Sequence, residues 1–153
     1  MGPLLARRLK LSFQDTDEII VRHAQRSIPE IFRLEGETGF RQREAEAIRS
    51  LEQQPPTVVA CGGGAILGAD NRITMQRSGT RIYLRVPLKI LETRLQHKKD
   101  RPLLAQGSLT GTLADQLTQR ESWYQESDIQ IDAGDGSPEQ VAQKIFESWA
   151  TQT

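Results

Sequence analysis

The chain has 153 residues, enough for one domain with its own hydrophobic core. Its 20 basic and 20 acidic side chains cancel, leaving no electrostatic case for nucleic acid or an anionic membrane, although a small-anion site needs only local positive charge. The single cysteine excludes an internal disulfide, the two isolated histidines offer no metal-binding spacing, and no stretch approaches the ~18 apolar residues of a membrane span. With no signal-peptide pattern at the N-terminus, these features predict a cytoplasmic protein.

Gly2 to Lys10 carries Leu4, Leu5 and Leu9 toward one side and ends on basic residues, which predicts the tail of a helix. Leu11-Ser12-Phe13-Gln14 alternates as a short strand. Asp15-Thr16-Asp17-Glu18 follows at its carboxyl end. A helix N-terminus accounts for the acids, with Asp15 as N-cap and Glu18 as its capping-box partner. Two carboxylates just past a strand end can also serve a metal shell and a substrate hydroxyl separately, and both readings can hold together.

Ser27-Ile28-Pro29-Glu30 predicts a second capping box, opening a short helix that Gly36 ends. A longer helix runs from Glu37 to about Gln53, with Arg41 and Glu44 at i and i+3, close enough to pair. An exposed pair of this kind contributes little. Thr57-Val58-Val59-Ala60-Cys61 is apolar throughout, the pattern of a central parallel strand covered on both faces. Cys61 is expected to be a small core residue rather than a nucleophile. Gly62-Gly63-Gly64 follows at the strand's carboxyl end, where open α/β sheets bind ligands and where glycine lets backbone approach closely.

A helix is predicted over Ala69 to Ser78, a strand over Arg81 to Val86, and a helix from Pro87 carrying Leu88, Leu91 and Leu95. Residues 96 to 112 are polar and irregular, the composition of a lid or loop. The helix from Thr112 to about Glu126 places Leu113, Leu117, Arg120 and Tyr124 on one stripe. An arginine there either snorkels to solvent or points into a polar pocket. Ile129-Gln130-Ile131 predicts a last strand, and Ser137-Pro138 a last helix bearing Val141, Ile145 and Trp149. The alternation predicts a single α/β domain over residues 1–153, with a mostly parallel sheet.

These pieces, in order, resemble the shikimate kinase family, nearest its bacterial monofunctional members. The resemblance rests on Asp15-Thr16-Asp17, Ser27-Ile28-Pro29-Glu30-Ile31-Phe32, Gly36-Glu37 with Gly39-Phe40-Arg41 and Glu44, and Gly62-Gly63-Gly64-Ala65. It continues through Tyr83-Leu84, Arg101-Pro102-Leu103-Leu104, and Arg120 with Tyr124. It implies a P-loop-kinase-like (nucleoside monophosphate kinase-like) three-layer sandwich, and transfer of the γ-phosphoryl group of ATP to the 3-hydroxyl of shikimate, on the route to chorismate.

By the same resemblance Asp17 is the base or orienter at the reacting hydroxyl. Arg41 and Arg120 hold the shikimate carboxylate, Gly62, Gly63 and Gly64 offer backbone to the substrate, and Glu44 steadies Arg41. Asp15 belongs to the Mg2+ shell through water, and Arg101 reaches the nucleotide phosphates from a lid at about 96–112. The implied partners are shikimate and ATP, with no nucleic acid and no membrane, and the implied state is a monomer.

The family's G-x-x-x-x-G-K-[ST] loop, and the strand that leads into it, do not occur in these 153 residues. That strand is the central first strand of the family sheet, so the expectation is a shortened chain whose strand 57–61 lacks a neighbour, with coding sequence upstream of Met1 supplying the rest. The rival readings are a shikimate-binding relative without ATP chemistry and another small-molecule kinase of the P-loop group, such as a gluconate kinase.

Overall fold

The computed structural model describes residues 1–95 and 109–152. The elements run α1 (Gly2–Leu9), β1 (Ser12–Asp15), α2 (Thr16–Ala24), α3 (Ile28–Ser50) and β2 (Thr57–Ala60), then a single 3-10 turn (Ala65–Leu67). They continue through α4 (Ala69–Ser78), β3 (Ile82–Arg85), α5 (Leu88–Leu95), α6 (Leu109–Gln125), β4 (Ile129–Asp132) and α7 (Pro138–Ala150). The lid expected over 96–112, with Arg101, falls outside the described residues except for its end: α6 begins at Leu109 rather than Thr112.

Both foreseen N-termini form, although at α2 the reciprocal bond expected from Glu18 is not made and Asp15 caps alone, through the Asp17 N–H two residues on. The Asp15 side chain caps α2, and Ser27 with Glu30 makes the reciprocal capping box of α3. Gly36 does not end a helix outright. It kinks α3 at φ 68 and ψ −173, a conformation open essentially only to glycine, and helical geometry resumes beyond it. The Arg43 guanidinium clamps the kink with two 2.8 Å hydrogen bonds to Glu35, and Phe32 stacks on Phe40 across it at 4.7 Å. Beyond the adjoining backbone nothing lies within 4 Å of where a Gly36 Cβ would sit, so the cost of Gly36→Ala is mainly conformational. It is expected to lower the unfolding free energy by about 1–3 kcal/mol, read from urea denaturation.

The strands form two parallel pairs, β1 with β2 and β3 with β4. Among the described residues no ladder joins β2 to β3. One hydrophobic core lies where α1 and α7 cover the strands: Leu5, Ile129, Ile131, Val141 and Ile145, with Val58, Ile82 and Leu84 packed on it. A second joins α2 to α3 through Ile19, Ile20, Ile31 and Phe40.

The expectation that β2 is covered on both faces does not hold, since every residue of the strand is only half-buried. Val58 packs on the first core, while Val59 and Ala60 open onto a groove of about 590 Å³ between β2 and β3. Met75 of α4 and Leu117, Trp123 and Tyr124 of α6 line its other walls. No helix among the described residues is long and apolar enough to cross a membrane.

Candidate active site

The register of the first strand pair builds the site. Asp15 stands opposite Ala60, so β1 and β2 end level and release Asp15-Thr16-Asp17 and Cys61-Gly62-Gly63-Gly64 side by side. The Asp17 backbone N–H donates to Asp15 Oδ1 at 2.9 Å, which turns the chain into α2 and leaves both carboxylates at the strand end.

The three glycines form a floor, and each meets a different functional group. A Cβ on Gly62 would lie 3.8 Å from both Asp17 Oδ1 and Glu44 Oε1. One on Gly63 would lie 3.2 Å from Tyr124 Oη and 3.7 Å from Arg120 Nη1, and one on Gly64 would fall inside the Arg41 guanidinium. Asp17, Arg41, Glu44 and Arg120, distant in sequence, therefore converge on one loop. The loop is fastened beneath: Ala65 N–H donates to Gly62 O and Leu67 N–H to Gly64 O, both at 3.0 Å. Asn71 Nδ2 donates to Ala65 O at 3.0 Å, and Arg72 Nη1 to Ile66 O at 2.6 Å.

The Arg41–Glu44 pair is not an exposed one. Arg41 Nη1 donates to Glu44 Oε2 at 2.7 Å, and the Glu44 side chain is only 2% accessible. Burial raises the Glu44 carboxyl above its ordinary 4.5, outweighing the opposing pull of Arg41. A carboxyl raised in the folded state contributes stability that is present below the unfolded value and lost as pH rises through the folded one. Glu44→Gln, which removes the buried charge but not the volume, is therefore expected to gain stability relative to wild type as pH rises above the ordinary carboxyl value of 4.5. Urea titrations above that value should show the gap widening with pH, and a constant gap would mean the carboxylate carries no such cost.

From α6, Arg120 Nη1 donates to Gly63 O at 3.1 Å. Its Nε is buried with no partner, so the arginine is held at the glycine loop rather than extended freely into solvent. A guanidinium beside the glycine floor brings a planar fork whose geometry matches a carboxylate. Cys61 is not the core residue expected; it opens onto the groove. Surrounding protein and the charges of Glu44, Asp15 and Asp17 push its thiol up to about 11, which leaves it protonated and unreactive.

Among the described residues no group of three or more His, Cys, Asp or Glu gathers as a metal site, so a hard cation here would rely on one or two carboxylates and water. Asp15 supplies such an oxygen donor at the strand end.

Three contributors have no role in the sequence reading. Glu37 holds Arg41 from the side away from Glu44, at 3.4 Å, and its i−4 position was the available signal. Tyr124 donates its hydroxyl to Gly63 O at 2.8 Å. Tyr83 stacks on Tyr124 at 4.7 Å with planes 5° apart, a pairing between β3 and α6 that no local pattern reveals.

A family model described as shikimate kinase matches residues 1–150. A shikimate kinase of Cereibacter sphaeroides is 37% identical over 151 residues, covering 99% of this chain and 76% of the relative. One from Geobacter sulfurreducens is 41% identical over 145 residues, covering 95% and 80%. The solved shikimate kinase from Acinetobacter baumannii in complex with shikimate has a TM-score of 0.96 at 35% identity, covering 99% of this chain and 86% of that one. The Aquifex aeolicus shikimate kinase has a TM-score of 0.85 at 30% identity, covering 99% and 88%. The fold, α/β with short parallel strands, is thus shared with these P-loop kinases. With the family model spanning nearly its whole length, the chain belongs to the shikimate kinase family of ATP-dependent phosphotransferases.

Proposed function

We propose that this protein transfers the γ-phosphoryl group of ATP to the 3-hydroxyl of shikimate. The observation that carries this reading is the meeting of Asp17, Arg41 and Arg120 over the glycine floor, with Arg120 Nε buried and unpaired. Arg41, braced by Glu44 and Glu37, and Arg120 grip the carboxylate, while backbone of Gly62, Gly63 and Gly64 lies against the ring. Asp17 orients the reacting hydroxyl and accepts its proton. Asp15 would hold Mg2+ through water, and that ion supplies charge neutralisation at the nucleotide phosphates when bound. Arg101 is assigned to the same phosphates by its place in the family pattern. Phosphoryl transfer is mainly positioning and electrostatics, so this inventory suffices once the phosphates are cradled.

The cradle itself is the finer part of the proposal. No G-x-x-x-x-G-K-[ST] run occurs in the 153 residues, and β2 and β3 face each other across the groove without pairing. We read that groove as the seat of one further parallel strand that ends in a phosphate-binding loop. Fusing a parallel strand with a glycine-rich phosphate loop ahead of α1 tests this: ATP binding gained by the fusion supports it, and ATP binding unchanged by the fusion ends it.

Calorimetry with shikimate and a coupled ADP-release assay test the function. Shikimate binding is expected of these 153 residues, and turnover once a phosphate-binding strand and loop are present. Binding without turnover even then favours a shikimate-binding relative, the reading that the absent glycine-lysine run otherwise suits. We further propose that the protein works as a monomer in the cytoplasm, the first point being open to sedimentation analysis.

A further inference from the structure

Arg120 grips with one edge and is steered by another. Its Nη1 is committed to Gly63 O at 3.1 Å, while the buried, unpartnered Nε lies on the Nε–Nη2 edge of the guanidinium. That edge is the one Arg43 uses to hold Glu35 with two 2.8 Å bonds elsewhere in this chain. The Gly63 carbonyl therefore sets the direction in which Arg120 offers its fork. A carbonyl oxygen accepts at two lone pairs, and the second donor here is the Tyr124 hydroxyl at 2.8 Å, closer than Arg120 itself. The Tyr124 ring is fixed in turn by its stack on Tyr83, whose own hydroxyl donates to Glu121 at 3.3 Å. Burial raises the Tyr124 phenol, which keeps it protonated as a donor. Since the peptide is planar, a held Gly63 carbonyl also fixes the direction of the Gly64 N–H.

We propose that Tyr124 is a positioning residue for carboxylate capture: stacked on Tyr83, its hydroxyl holds the Gly63 carbonyl so that Arg120 presents its Nε–Nη2 edge to the substrate. This rests on the reading that the site takes shikimate. Tyr124 acts on Arg120 through the shared Gly63 carbonyl and through the direct contact of its hydroxyl with the guanidinium.

The test is Tyr124→Phe, which keeps the ring and its stack and removes only the hydroxyl. Shikimate titrations by calorimetry are expected to show Kd rising about fivefold, the weight of one hydrogen bond. NMR supplies the readout that a merely structural role would not move. In wild type the Arg120 Nε–H proton should shift downfield when shikimate saturates the site; in the variant that shift should shrink. An unchanged Kd overturns the proposal. So does a weakened Kd with the wild-type Nε–H shift, because Tyr124 would then act elsewhere. If wild type binds no shikimate, the functional reading fails instead. Should Tyr124→Phe not fold, Tyr83→Leu removes the stacking ring and leaves the phenol; it is expected to change both readouts in the same direction, and wild-type values there overturn the proposal.

Discussion

Arg120→Ala is expected to weaken shikimate binding about 100-fold, close to 2.7 kcal/mol, while leaving the fold intact. The size follows from what is removed. A guanidinium edge carries a charge-assisted, two-point contact to a carboxylate, and each such hydrogen bond contributes about 1.5–3 kcal/mol. The fold should tolerate the change because the Arg120 bond to Gly63 O is shared with Tyr124, which remains. Arg120→Lys is expected to recover only a small part of the affinity, since an ammonium is a point charge without the planar fork. Calorimetry of the three proteins decides it. A Kd unchanged in Arg120→Ala would place the carboxylate elsewhere and remove the main support for the proposed substrate.

Asp17→Asn is expected to reduce turnover by about 10²–10⁴-fold, the usual range for losing a general base, with shikimate affinity changed only a few-fold. An amide can orient a hydroxyl but cannot take its proton. Structural damage should be slight. The bond that caps α2 uses the Asp17 backbone N–H, which the substitution keeps, and the lost charge in the first helical turn costs about 0.3–1 kcal/mol. The ADP-release rate at saturating substrates, set beside the melting temperature, separates the two effects. A variant that turns over like wild type would show that Asp17 is not the base.

The two arginines were legible to different degrees. Arg120 stood out because a cation on an apolar helical stripe needs a reason, and the structure supplies one in the Gly63 carbonyl and a buried, unpaired Nε. Arg41 looked like half of an ordinary surface pair. Its i, i+3 relation to Glu44 was correct, but spacing on one helix says nothing about what packs over it. The glycine loop lies there, and Glu44 is buried as a result. Cys61 failed for the converse reason. An apolar run implies cover on both faces, and β2 has a groove on one side instead.

By itself the sequence determined the local structure: the caps at Asp15 and Ser27, the break in helical geometry at Gly36, the alternation of strands and helices, and the glycine run after β2. These depend on dihedral preferences and hydrogen bonds within a few residues, which composition and spacing encode directly. The family resemblance already implied that Asp17, Arg41, Arg120 and the glycines share one substrate, but only the tertiary structure decided the contacts that bring them together. The level ends of β1 and β2, the Tyr83–Tyr124 stack and the two donors on the Gly63 carbonyl all join groups far apart in the chain. Such contacts are set by packing and strand register, and neither leaves a periodic trace in the sequence.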